Sequence, residues 1–179
     1  MTVRRMRLFG DPVLTGECDP VTDFDKELRT LVRDLTDTLR DARGSGLAAP
    51  QIGVPVRVFV FDVDGVRGHL VNPTLEFPDD EEQTGPEGCL SIPGLYYDTR
   101  RRLHAVARGV DMHGRPAQVV GTAEVARCLQ HETDHLDGVL FLDRLDPATR
   151  RTAMRDIRAA EWYGARVKLS PHPVRGVLR

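Results

Sequence analysis

The stretch CLQHETDHLDG, residues 128–138, constrains this chain more than any other. His131 and His135 stand four residues apart, with Glu132 directly after the first. On an α-helix positions i and i+4 lie one above the other, so both imidazoles leave the same face. A fold built around the motif needs a helix here, one face turned to a metal site, and a carboxylate beside it to move protons. The flanks agree. Thr122 suits an N-cap and Gly138 a stop, which predicts a helix over about Ala123–Leu136.

The rest of the chain supplies a setting for that helix. Asp23 to Arg40 reads as a helix ended by Gly44 and Gly46, with Leu28, Leu31, Val32, Leu35 and Leu39 recurring at helical spacing and charges opposite. VRVFVFDV (56–63) and GHLVNPTLEF (68–77) read as strands, the second interrupted at Asn72-Pro73. LHAVARGVDM (103–112) and AQVVG (117–121) read as a hairpin across the turn at His113-Gly114-Arg115-Pro116. GDPVLTGECDPV (10–21) reads as an irregular lead-in and DDEEQTGPEG (79–88) as an acidic loop. A last helix is expected after Asp146-Pro147, running to about Tyr163, with Trp162 and Tyr163 docking it on the core. The expected class is α+β, with short, mostly antiparallel strands around a central metal-binding helix and with N-terminal and C-terminal helices. At 179 residues the chain is read as one catalytic domain, residues 1–165, and a loose tail, 166–179.

Composition excludes some partners. A net charge of -2 gives no pull toward nucleic acid or an anionic membrane. No apolar run is long enough to span a bilayer, and none follows the charged start MTVRRMRLFG as a secretory signal requires. The run Arg100-Arg101-Arg102 is expected to be solvated or locally paired. Cys18, Cys89 and Cys128 are too few for a disulfide framework and fit free thiols in a reducing cytoplasm.

Two histidines do not make a catalytic metal site, which takes three protein ligands and an open position. A third histidine at the metzincin spacing is absent, because that position holds Phe141. A downstream glutamate is available only at Glu161, in AAEWYG, where an exposed helix residue is the plainer expectation. Upstream stands Cys89, in the shaped stretch EGCLSIPG, and a thiolate is a good ligand for Fe(II) or Zn(II). From the residues alone Cys89 and Glu161 both remain open. Another glycine-bearing stretch, GSGLAAPQ (44–51), formally fits a dinucleotide fingerprint, but it follows a helix rather than a strand, and Pro50 argues against a helix opening there. It reads better as an extended segment whose glycines let a peptide backbone approach closely. His69, His104, His113 and His172 have no second ligand at a fitting spacing and read as surface or structural.

Three separated stretches, GSGLAAPQ (44–51), EGCLS (87–91) and QHETDH (130–135), together resemble the three motifs of the peptide deformylase family, in order. The lead-in GDPVL (10–14) and the segment LDGVLFLDRL (136–145) fit the same resemblance, which covers roughly residues 4–146. It implies that Cys89, His131 and His135 bind one metal ion, Fe(II) by preference, with Zn, Ni or Co able to occupy the site. It implies that Glu132 is the general acid and base, and that Gln51 and the backbone N–H of Leu90 stabilise the oxyanion. The implied reaction hydrolyses the N-formyl group from the initiator methionine of new proteins. A metal suits that task because it makes hydroxide available near neutral pH. The implied setting is a cytoplasmic monomer in transient contact with the ribosome.

The resemblance also marks departures. Gly44, Ser45, Gly46, Glu124 and Cys128 are the candidate substrate-binding residues, but Ser45 stands where Val or Ile is usual and Glu124 where a large apolar residue is usual. Glu124, Cys128, His131 and His135 share one helical stripe. A carboxylate in an apolar pocket wall weakens binding of a thioether unless Arg127 or another cation satisfies it. The competing expectations are therefore a deformylase-like protein with altered first-residue preference or no turnover, and a zinc peptidase using Glu161.

Overall fold

The computed structural model describes residues 2–164. The expected last stretch, 166–179, and with it His172, lies outside the described residues. Helix α1, Lys26–Ala42, starts where the Asp25 carboxylate accepts from the N–H groups of Glu27 and Leu28 at 2.8 and 3.0 Å. It buries Leu28, Val32, Leu35 and Leu39 of the predicted stripe against the sheet, with Leu31 half-buried beside them. Its end is later than Arg40, and the left-handed cap is Arg43 itself, φ 53°, rather than Gly44.

Seven strands follow: β1 Gly46–Ala48, β2 Val58–Val63, β3 Val66–Glu76, β4 Glu82–Cys89, β5 Ile92–Arg102, β6 His104–Val110 and β7 Pro116–Thr122. Five form an antiparallel sheet in the order β1-β2-β3-β6-β7, and β4 pairs antiparallel with β5 in a separate two-stranded sheet. The interruption expected at Asn72-Pro73 is a register shift between β3 and β6, with Asn72 at φ 51°. Its side chain is locked there, donating to the Val21 carbonyl and accepting from the Val21 N–H, both at 2.8 Å.

The acidic loop expected over 79–88 is mostly strand β4, and its partner β5 runs through the triple arginine. The correction has a physical cause. Cross-strand charge pairs such as Glu82 with Arg100 hold residues that local propensity assigns to a loop. Helix α2, Ala123–Leu136, has the expected bounds, although the Thr122 side chain makes no capping hydrogen bond. From Val125 to Leu136 every residue is buried. Val125, Cys128, Leu129 and Leu136 pack on Phe59, Phe61, Leu70 and Ala107 of the sheet. Helix α3, Pro147–Ala159, is capped by Asp146 and ends before Tyr163. Beyond it, the Trp162 indole N–H donates to the Pro93 carbonyl at 3.0 Å, and the Tyr163 ring lies 6.4 Å from that of Phe9.

Candidate active site

Three elements converge beside α2. Strand β4 ends at Cys89, the face of α2 presents His131 and His135, and β1 with the 3-10 turn Ala49–Ile52 presents Gly46 and Gln51. Ligand atoms of Cys89, His131 and His135 all lie within 4.8 Å of one another, and all three residues are buried. Cys89 Sγ stands 3.2 Å from His135 Nε2. His131 Nδ1 is held 2.7 Å from Glu87 Oε1, which leaves its Nε2 for the shared point. Burial pushes the Cys89 thiol up, but His135 and then His131 outweigh it, so the thiol sits well below its ordinary range. One thiolate and two imidazoles aimed at one point fit Fe(II) or Zn(II) with a position left for substrate. Glu161 is exposed and outside this group, which removes the route through Glu161 as third ligand.

Glu132 is buried at 2% exposure, and its Oε2 makes no hydrogen bond among the described residues. Burial pushes its carboxyl up to about 7, against the pull of His131 and His135. A group balanced near neutrality can both take and return a proton. Gly46 makes room for it: a β-carbon there would lie 2.7 Å from Glu132 Cδ. The Gln51 amide is pinned, its Oε1 accepting from Ala48 N–H at 2.8 Å. Its Nε2 donates to Ser91 Oγ at 3.2 Å and faces Cys89 Sγ at 3.5 Å. Leu90, half-buried, continues from Cys89 at the cavity wall.

The cavity holds about 420 Å³, and its lining includes Gly44, Ser45, Gly46, Leu90, Glu124 and Cys128. The Cys128 thiol, pushed well up by burial and then by Glu132, donates to the Ser45 carbonyl at 3.4 Å. Glu124 does line the cavity, but its side chain is 58% exposed and its Oε1 lies 3.6 Å from Arg127 Nε. The carboxylate is therefore turned to solvent and a cation rather than sealed into an apolar wall.

Two partners went unassigned in the sequence. Glu87 and Cys89 sit two apart on a strand and so share a face; both are buried. Glu87 receives Arg101 at 2.7 and 3.0 Å and Arg127 at 2.9 Å. Arg101 also reaches Asp134 on α2 at 2.6 Å. The alternation along β5 separates Arg101, buried, from exposed Arg100 and half-buried Arg102, so the triple arginine is not uniformly solvated. Ser91, fully buried, is the other missed contact, holding the Gln51 amide.

Comparison with known proteins agrees with this geometry. Residues 3–151 match the profile of the polypeptide deformylase family. A peptide deformylase of Acidothermus cellulolyticus is 63% identical over 178 residues, covering 98% of each chain. One of Parafrankia sp. is 56% identical over 181 residues, again covering 98% of each. The crystal structure of a peptide deformylase from Legionella pneumophila aligns with a TM-score of 0.82 at 40% identity, covering 88% of this chain and 95% of that one.

Proposed function

The chain belongs to the polypeptide deformylase family, and from that premise we propose that its reaction is carried by the residues gathered beside α2. It is an enzyme that removes the N-formyl group from the N-terminal methionine of newly synthesised proteins, and its hydrolysis is metal-dependent. In the proposed assignment Cys89, His131 and His135 hold one ion, Fe(II) by preference. When bound, such an ion would make hydroxide available near neutral pH and polarise the carbonyl.

The chain's own residues do the rest. Glu132 takes the proton of the attacking water and returns it to the amine nitrogen as the C–N bond breaks and formate leaves. Gln51 Nε2 and the Leu90 N–H meet the oxyanion that develops on the formyl oxygen. Gly44 and Ser45 lead into Gly46, the first residue of β1, an edge strand with only β2 beside it, so a peptide backbone can dock along its outer side. Cys128 walls the cavity for the methionine side chain, and Glu124, exposed and beside Arg127, leaves that preference in place. We assign the chemistry to a single domain over residues 1–165. It works as a monomer in the cytoplasm, in transient contact with the ribosome and with no nucleic-acid preference. Among the described residues no helix is long and apolar enough to cross a membrane.

The observation that carries this reading is the buried Cys89–His131–His135 trio with Glu132 against Gly46. The test is formate release from formyl-Met-Ala-Ser by protein purified anaerobically and loaded with Fe(II) or Ni(II). An acetylated twin and Glu132→Ala run beside it. Release from the formyl peptide that disappears in the variant is the expected result. Absence of release from metal-loaded protein overturns it.

A further inference from the structure

We propose that Arg43 is a specificity-determining residue, reading an acidic side chain at the second or third residue of the formylated peptide. The inference rests on the deformylase reading and extends it to the part of the substrate beyond methionine. Arg43 is exposed and lines the catalytic cavity beside Gly44, Ser45 and Gly46. Among the described residues its guanidinium has no hydrogen-bond or ion-pair partner. The other arginine in the lining, Arg127, is spent on Glu87 at 2.9 Å and lies 3.6 Å from Glu124. Among the described residues, Arg43 is thus the free arginine at the cavity mouth.

Its placement relative to the chemistry sets what it can read. Gly46 lies against Glu132, where the formyl group must sit. A peptide docked along the outer edge of β1 and running back past Ser45 and Gly44 reaches Arg43 three residues from Gly46. At about 3.3 Å per extended residue that distance is roughly 10 Å, which matches the second or third residue of the substrate. The backbone fixes the direction of the side chain. Arg43 holds φ 53° and ψ 37°, with its N–H bonded to the Arg40 carbonyl at 3.3 Å and the Gly44 N–H to the Leu39 carbonyl at 3.3 Å. The left-handed cap favours glycine, so an arginine there is strained, and strain at the rim of a site points to a role for the side chain. A guanidinium takes a carboxylate with two parallel hydrogen bonds.

The test uses C-terminally amidated formyl-Met tetrapeptides carrying Glu or Lys at the second or third residue, so that no terminal carboxylate competes. The wild-type enzyme should favour Glu over Lys in kcat/KM by roughly two- to fivefold, through KM, the range of an exposed ion pair. The preference should shrink as salt rises. Arg43→Gly, which suits the left-handed backbone and so keeps the fold, should bring the ratio to about one. Arg43→Glu should invert it and Arg43→Lys should retain most of it. Calorimetry of the matching unformylated peptides on Glu132→Ala protein reads the same ratio without turnover. If no peptide releases formate, the deformylase reading fails, while the binding ratio still decides the role of Arg43. Equal handling of Glu and Lys peptides, or a ratio that Arg43→Gly leaves untouched, overturns the proposal and leaves Arg43 as a helix-end charge only.

Discussion

Glu132 sits in a space that one glycine defines. Gly46→Ala would place a methyl carbon 2.7 Å from Glu132 Cδ, so the carboxylate must turn away or β1 must move. With Glu132 as the proposed acid and base, that displacement should cost on the order of 10²-fold in kcat. Steady-state formate release, checked against an unchanged circular dichroism spectrum, measures it, and a variant of full activity would show that Glu132 tolerates the shift. Glu87 sets the other geometry of the site. Its 2.7 Å contact with His131 Nδ1 aims the opposite nitrogen at the shared ligand point. Glu87→Gln keeps the shape but loses the charge, and metal affinity should fall by about 10- to 100-fold in a competition with a chromophoric chelator. Unaltered affinity would remove Glu87 from the support of the site. Residues whose chemistry is local are legible in the sequence itself: Cys89, Glu132, His131 and His135 stand in short stretches where spacing and neighbours suggest a role. Glu87 and Ser91 are not, because their roles exist only once β4 is a strand and Gln51 has folded back against it.

At the scale of elements, the β4–β5 pair is fastened to α2 by buried charge rather than by apolar contact alone. Arg101 joins Glu87 on β4 to Asp134 on α2, and the side chains of Arg101, Glu87 and Asp134 are 4, 3 and 10% exposed. Removing the middle of such a network leaves two carboxylates buried around the gap. Arg101→Leu should therefore destabilise the fold by about 3–5 kcal/mol. Urea unfolding followed by fluorescence checks it, and a loss below ~1 kcal/mol would mean that water or Arg144, 2.6 Å from Asp134, takes over. The same elements explain what sequence reading misses. Helices α1 and α2 carry apolar or ligand stripes of their own and are readable from periodicity. Strands β4 and β5 are rich in glycine, proline and charge, and their regularity comes from the partner strand, as Glu82 opposite Arg102 and Thr84 opposite Arg100 illustrate. The α1 terminus is misplaced for a related reason: the left-handed cap falls on an arginine, where composition points to the glycine that follows.

For the whole molecule, the three proposed metal ligands belong to pieces far apart in the chain. Cys89 ends the two-stranded sheet, while His131 and His135 ride the helix buried against the five-stranded one. An ion shared by them would tie the two sheets through α2 and would bind the folded chain far better than the unfolded one. Mass action then adds about 2.7 kcal/mol of stability when free metal stands a hundredfold above Kd. For a domain of this size each kcal/mol moves Tm by roughly 2–4 °C, so chelation should lower Tm by about 5–10 °C. Differential scanning calorimetry before and after chelation, and after readdition of Fe(II) or Zn(II), measures the shift. Cys89→Ala should show little of it. The buried trio also predicts the form of the apo state. Glu87 holds His131 and the Ser91 hydroxyl holds Gln51 by protein contacts alone, so the apo protein should keep its secondary structure and a single cooperative transition, with only the midpoint displaced. A chelated protein that loses its fold outright would mean that the ion assembles the site. A Tm indifferent to metal would mean that Cys89, His131 and His135 do not share one.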